Sequence, residues 1–137
     1  MTQEEKSLLL KDLSARLHHG VKVSFQGQIC TIDTASCDAT LLLKGKDGYV
    51  PNIEEGLFID IDRIKPYLRP MSSMTEEEAR EYANCGNIIA NSPQNNYLIP
   101  NPNSIDWLNK NHFDYRGLIE KGLALEAPED MYNIKEQ

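Results

Sequence analysis

Cysteine is scarce in this chain, and its spacing excludes more than its number does. Cys30, Cys37 and Cys85 are odd in number and no two form a CxxC pair. A disulfide framework and a clustered zinc site are therefore not expected, whereas reduced thiols in a cytoplasmic protein are. Long apolar runs are missing as well, and none approaches the roughly 18 residues of a membrane span. The start, MTQEEKSLLL, sets two acids ahead of three leucines, where a signal peptide would carry a basic region and a longer apolar one. No membrane contact is expected. Aromatic residues make up 7% of the chain, Gly numbers eight and Pro seven, which excludes collagen-like and Pro/Gly-rich low-complexity architectures.

An excess of basic charge is absent too. The formal net charge is −7, and residues 71–137 hold five Lys/Arg against eleven Asp/Glu while residues 1–70 are close to balanced at nine against ten. Such a half repels a phosphate backbone, so nucleic acid is disfavoured as a partner. A nucleic-acid-binding barrel would require Lys22, Lys44, Lys46, Arg63, Lys65 and Arg69 to converge on one face. Phosphate-loop, dinucleotide and GxSxG signatures do not occur.

What is present is a mixed α+β pattern whose length, 137 residues, suits one domain spanning 1–137, since domains commonly run about 100–150 residues. Thr2 with Glu5 forms a capping box, Leu9, Leu10, Leu13 and Leu17 form one apolar stripe, and Gly20 is placed to end the helix. From Val21 the apolar period changes to two. About five short strands fit residues 21–62, with Gln26-Gly27 and the GKDG of residues 45–48 as turns. Their short connections require antiparallel pairing, and five such strands curl into a small barrel. The closing DRIKPYLRP matches the single-turn element that follows the fourth strand of SH3-like barrels. The expected architecture over 21–70 is thus an antiparallel five-stranded SH3-like barrel, followed by short C-terminal helices.

Thr75 with Glu78 forms a second capping box, for a helix reaching about Cys85. Its thin apolar face predicts a surface position. Residues 87–103, rich in Asn and Pro, fit no regular element and predict an ordered excursion with a mobile tip near Gln94 to Asn96. Ser104 is placed to cap a short helix, and Asp114 a further one containing Tyr115, Leu118 and Ile119 and ending at Gly122. Arg116 is within reach of Glu120. Leu123 and Leu125 suggest a short final strand, after which the tail frays beyond Met131.

The polar clusters read structurally. His112 with Asp114 has no nucleophile beside it, and Asp114 stands where a helix start needs an acceptor. His18 and His19 are adjacent and point about 100° apart, so they suit a helix end better than one metal ion. Asp60 and Asp62 alternate with Ile59 and Ile61 and belong on a solvated strand face. No catalytic residue, metal ligand or cofactor is therefore expected. The competing reading is a small hydrolase or metal-dependent enzyme using His112 with Asp114, or Asp60 with Asp62.

The segments EEKSLLLKDLSARLHHGVKV, IKPYLRPMSSMTEEE and HFDYRGLIEKGLALEAP together resemble an uncharacterised family of small proteins common in gut Bacteroidales genomes and in their phages or mobile elements. The resemblance implies an accessory protein and carries no activity or site residues. From the residues themselves, the expectation is a non-enzymatic protein–protein interaction module. Its partner is another protein or a second copy, and its binding residues are the aromatics outside the helical stripes: Tyr97, Trp107 and Tyr132.

Overall fold

The computed structural model describes residues 1–45, 48–50, 58–85, 88–91, 96–99 and 102–132, with backbone alone at 49–50, 88–91, 96–99 and 102. Helix α1 runs Gln3–Arg16, and Thr2 and Glu5 exchange both bonds of the capping box. A single 3-10 turn, Leu17–His19, follows and stops at Gly20, whose φ of 71° is open to a residue without a Cβ. Leu9 and Leu13 are fully buried, with Leu10 and Leu17 packed beside them. Asp12 and Arg16 are buried on the same helix.

Five antiparallel strands cover the predicted segment: β1 (Lys22–Phe25), β2 (Gln28–Ala35), β3 (Thr40–Gly45), β4 (Gly48–Val50) and β5 (Ile59–Asp60). The hairpin joining β1 to β2 turns on Gln26 and Gly27, both at positive φ, which is the twist a two-residue hairpin needs. Lys46 and Asp47 of the GKDG turn lie outside the described residues, although Gly45 and Gly48 pair across it. The apolar faces of Val23, Phe25, Cys30, Ile32, Leu41, Leu43 and Ile59 close on α1 and form the core.

The sheet departs from the expected barrel in two ways. With β6 at Lys65–Pro70 and β10 at Leu125–Glu126, its order is β10-β6-β1-β2-β3-β4 and it stays open, with β4 and β10 as ends that do not meet. It also gains three strands beyond residue 62, namely β6 (Lys65–Pro70), β9 (Phe113–Asp114) and β10 (Leu125–Glu126). Both β9 and β10 pair with β6 in parallel. Long intervening connections permit this, since the antiparallel requirement bound only the short loops.

The predicted single turn falls at Ile61–Arg63, and KPYLRP is a strand. Two prolines are tolerated there for a geometric reason. Successive strand residues direct their backbone groups to opposite edges. Arg69 donates to His112 O on the edge shared by β1 and β9, while Leu68 accepts from Ala127 beside β10. Pro66 and Pro70 therefore lack donors on the β10 edge, before and after the stretch Tyr67–Leu68 where β10 pairs.

Helix α2 (Glu76–Ala83) starts at the predicted Thr75 box and has no fully buried residue, Glu78 and Tyr82 being partly covered. Residues 87–103 hold a ladder that the sequence reading did not anticipate, β7 (Ile88–Asn91) paired antiparallel with β8 (Asn96–Ile99). Each strand carries a short apolar run, Ile88 to Ala90 and Tyr97 to Ile99, which is enough for a hairpin. Of the predicted mobile tip, Gln94 to Asn96, the first two residues lie outside the described residues, and Asn96 instead opens β8, paired with Asn91. Helix α3 (Pro102–Lys110) begins two residues before Ser104 because Pro102 is preset for the first helical turn. No regular helix spans 115–122. Gly117 at φ 72° breaks it, and the Asp114 carboxylate accepts the Leu118 and Ile119 amides of a single turn instead.

Candidate functional site

Three layers of polar and aromatic side chains lead from the core to an open cleft. The innermost is an ion pair on α1. Arg16 Nε donates to Asp12 Oδ2 at 2.9 Å, Arg16 Nη2 donates to Phe113 O, and both side chains are fully buried. Arg116 Nε adds a bond to Asp12 Oδ1 at 3.1 Å, and both guanidiniums approach the Tyr115 ring, at 5.4 Å for Arg16 and 4.9 Å for Arg116, while its hydroxyl donates to Asn109. Arg116 thus serves Asp12 and not Glu120 as expected, because the turn at Gly117 carries it across to α1.

The second layer is His112, 4% exposed, in a left-handed backbone conformation at φ 62°. Its ring stacks on Tyr132 with centroids 3.8 Å apart, and its Nδ1 finds no partner among the described residues. Burial and then the charges of Arg16, His19, Arg69 and Lys22 push its pKa down to about 3. Tyr132 accepts from the Lys22 amide at 2.7 Å and donates to Tyr67 O at 2.8 Å, so it spans β1 and β6 just beyond the paired residues. Burial raises its hydroxyl to about 12, against the opposing Lys22 bond.

The outer layer forms the cleft, about 490 Å³, lined by Arg69, Glu78, Glu126, Pro128, Glu129 and Tyr132 among others. Arg69 reaches both Glu78 oxygens, at 2.7 and 2.8 Å, and its guanidinium covers the Phe113 ring at 4.1 Å. Burial pushes the Glu78 carboxyl up, but the Arg69 and Thr75 hydrogen bonds outweigh it and hold the acid below its usual range. With Arg69 neutralised in place, the exposed Glu126 and Glu129 set the sign of the opening.

Each residue singled out from sequence can now be located. Trp107 is half-buried, stacked on Phe113 and tilted against Tyr82, which ties α3 to α2 and β9. Tyr132 borders the cleft. Tyr97 sits in β8 opposite Ala90, and its side chain lies outside the described residues. His112 and Asp114 do not converge, since the imidazole stacks on Tyr132 while the carboxylate caps two amides. Asp60 and Asp62 share Lys6, at 3.4 and 3.7 Å. Of the basic residues, Lys44 pairs with Asp33, Arg69 with Glu78, and Arg63 covers Phe25, while Lys46 lies outside the described residues. The His18 and His19 rings are tilted against each other at 42°. Among the described residues no group of three or more His, Cys, Asp or Glu side chains could hold a metal ion, and no helix is long and apolar enough to cross a membrane.

Sequence reasoning missed the Asp12–Arg16 pair and the burial of His112. An acid and an arginine four apart signal an exposed helix pair as readily as a buried one. No protein-family model, curated protein or solved structure matches the chain.

Proposed function

We propose that the protein is a non-enzymatic interaction module whose cleft holds a basic, extended segment of a partner protein. The observation that carries this reading is the composition of the cleft: Pro70, Ala127, Pro128 and Tyr132 offer apolar walls, while Glu126 and Glu129 remain exposed and Arg69 is neutralised by Glu78. A Lys- or Arg-bearing segment suits such walls, laying its methylene stems on them and its charge on the carboxylates. The non-enzymatic part rests on the engagement of the polar residues, since Asp12, Arg116, Asp114 and Tyr132 are each held by neighbours that order the fold.

Several finer features belong to the same reading. The order β6-β1-β2-β3, with a single turn between β5 and β6, supports an SH3-like relationship for the half-open sheet. A cytoplasmic accessory role, carried by a phage or mobile element, is the setting in which we place the module. Of the three aromatics, Tyr132 is assigned to the ligand and Trp107 to the support beneath it.

The test is a titration with a Lys/Arg-rich peptide of about ten residues and with a Glu-rich control, read by calorimetry. Only the basic peptide should bind, and its affinity should fall about tenfold or more between roughly 50 and 300 mM salt, as screened surface charge requires. The double reversal Glu126→Lys with Glu129→Lys should abolish binding. Equal binding of both peptides, or of neither, rules the proposal out.

A further inference from the structure

The C-terminal segment carries a second device, which stands whether or not the cleft takes a basic segment. Beyond β10, Ala127 donates to Leu68 O at 2.8 Å, and the chain then crosses β6 so that Tyr132 reaches the far edge. There the Tyr132 ring lies flat on His112, with an interplanar angle of 19°. Two atoms in this region are buried without a partner among the described residues, Arg16 Nη1 and His112 Nδ1. A buried polar group left unpaired weakens the state that buries it. The left-handed backbone at His112 adds a further local cost.

We propose that Leu125–Tyr132 is an acid-released latch: Tyr132 closes over a buried, uncharged His112, and a proton taken up by that imidazole holds the latch open. The groups facing the ring account for the direction. Arg16 comes from α1, His19 from the 3-10 turn, Lys22 from β1 and Arg69 from β6, and each opposes a further positive charge. The carboxylates nearby are committed: Asp12 to Arg16 and Arg116, Glu78 to Arg69, and Asp114 to the amides of Leu118 and Ile119. Tyr132 offers an aromatic face and a hydroxyl already bonded to Lys22 and Tyr67.

Closed, the ring stays neutral far into acid; open, it regains an ordinary histidine pKa near 6.5. The open state therefore binds more protons across the interval between those values, and the opening equilibrium rises as pH falls. From pH 7.5 to pH 5.0 the limit is about 30-fold, set by the protonation of one freed imidazole. Opening also withdraws Glu126, Glu129 and Tyr132 from the cleft.

Amide exchange on the full chain, corrected for intrinsic rates, tests this at the Ala127 amide, which the latch donates to Leu68 O, and at the Lys22 amide, whose acceptor is the latch's Tyr132 hydroxyl. Their opening equilibria should rise by about 30-fold over that interval. In His112→Asn, a residue that tolerates the left-handed backbone, the rise should vanish. In Tyr132→Phe the latch should open more at every pH while keeping its slope. Flat protection in the wild type overturns the proposal, as does an unchanged slope in His112→Asn. Should that variant not fold, the wild-type histidine ring resonances decide: His112 titrating near pH 6.5 with the latch amides still protected overturns it, and a ring neutral at pH 5.0 in the closed state upholds it.

Discussion

Removing the Asp12 carboxylate would strand two guanidinium groups, and one of them, Arg16, has no exposure to water. Pairing two ions inside a protein offsets their desolvation only while both are present, so losing one partner costs about 3–5 kcal/mol. Asp12→Ala should lower the unfolding free energy by that amount in urea melts. Arg116→Met, at a partly exposed site, should cost well under half as much. Comparable losses would show that Arg116 and not Arg16 is the main beneficiary of Asp12. This pair was illegible in the sequence because nothing in DLSAR distinguishes it from an exposed pair. What buries it is the arrival of Phe113, whose carbonyl accepts from Arg16 across 97 residues of chain. The burial of His112 was illegible for the same reason: the ring that stacks on it, Tyr132, comes twenty residues later in the chain.

At the level of elements, local rules reached what local interactions determine. Both capping boxes, at Thr2 and Thr75, formed as their Thr-x-x-Glu spacing implies, and the five antiparallel strands fell close to their predicted segments. The short final strand expected at Leu123 and Leu125 is β10, but β9 and the parallel pairing of both with β6 could not be read, since two-residue strands have no period and their partner lies about fifty residues upstream. Closure of the barrel was overcalled because strand count does not specify whether edges meet. Helix α2 offers an element-scale check. None of its residues is fully buried, so its attachment depends on the Thr75 box, the Arg69–Glu78 pair and the contact of Tyr82 with Trp107. Thr75→Ala should lower stability by about 1 kcal/mol. It should also lift the Glu78 carboxyl toward its normal range, because one of the bonds that holds it down is lost. A carboxyl titration unchanged by the substitution would mean that Arg69 and the backbone amide at position 75, which the substitution keeps, set it.

Across the whole molecule, the depressed groups predict a stability curve with two acid limbs. For a histidine lowered in the folded state, the unfolded chain binds more protons below pH 6.5, so stability is full above that value and falls as pH drops toward 3. His19, lowered chiefly by burial, acts in the same direction. For a carboxyl lowered in the folded state, stability is full above its unfolded value near 4.5 and is lost as pH falls through the folded one. The first limb should therefore begin near pH 6.5 and continue toward pH 3, its slope approaching about 1.4 kcal/mol per pH unit for one proton once the pH is well below 6.5. The second should start below about pH 4.5. Urea melts at half-unit steps would resolve both, and His112→Asn should flatten the first while leaving the second in place. Flatness of the wild type down to pH 5 would mean that the imidazole is protonated equally in the folded and unfolded chains. The pocket under Tyr132 would then not exclude charge, and the link between the tail and the core would lose its physical basis.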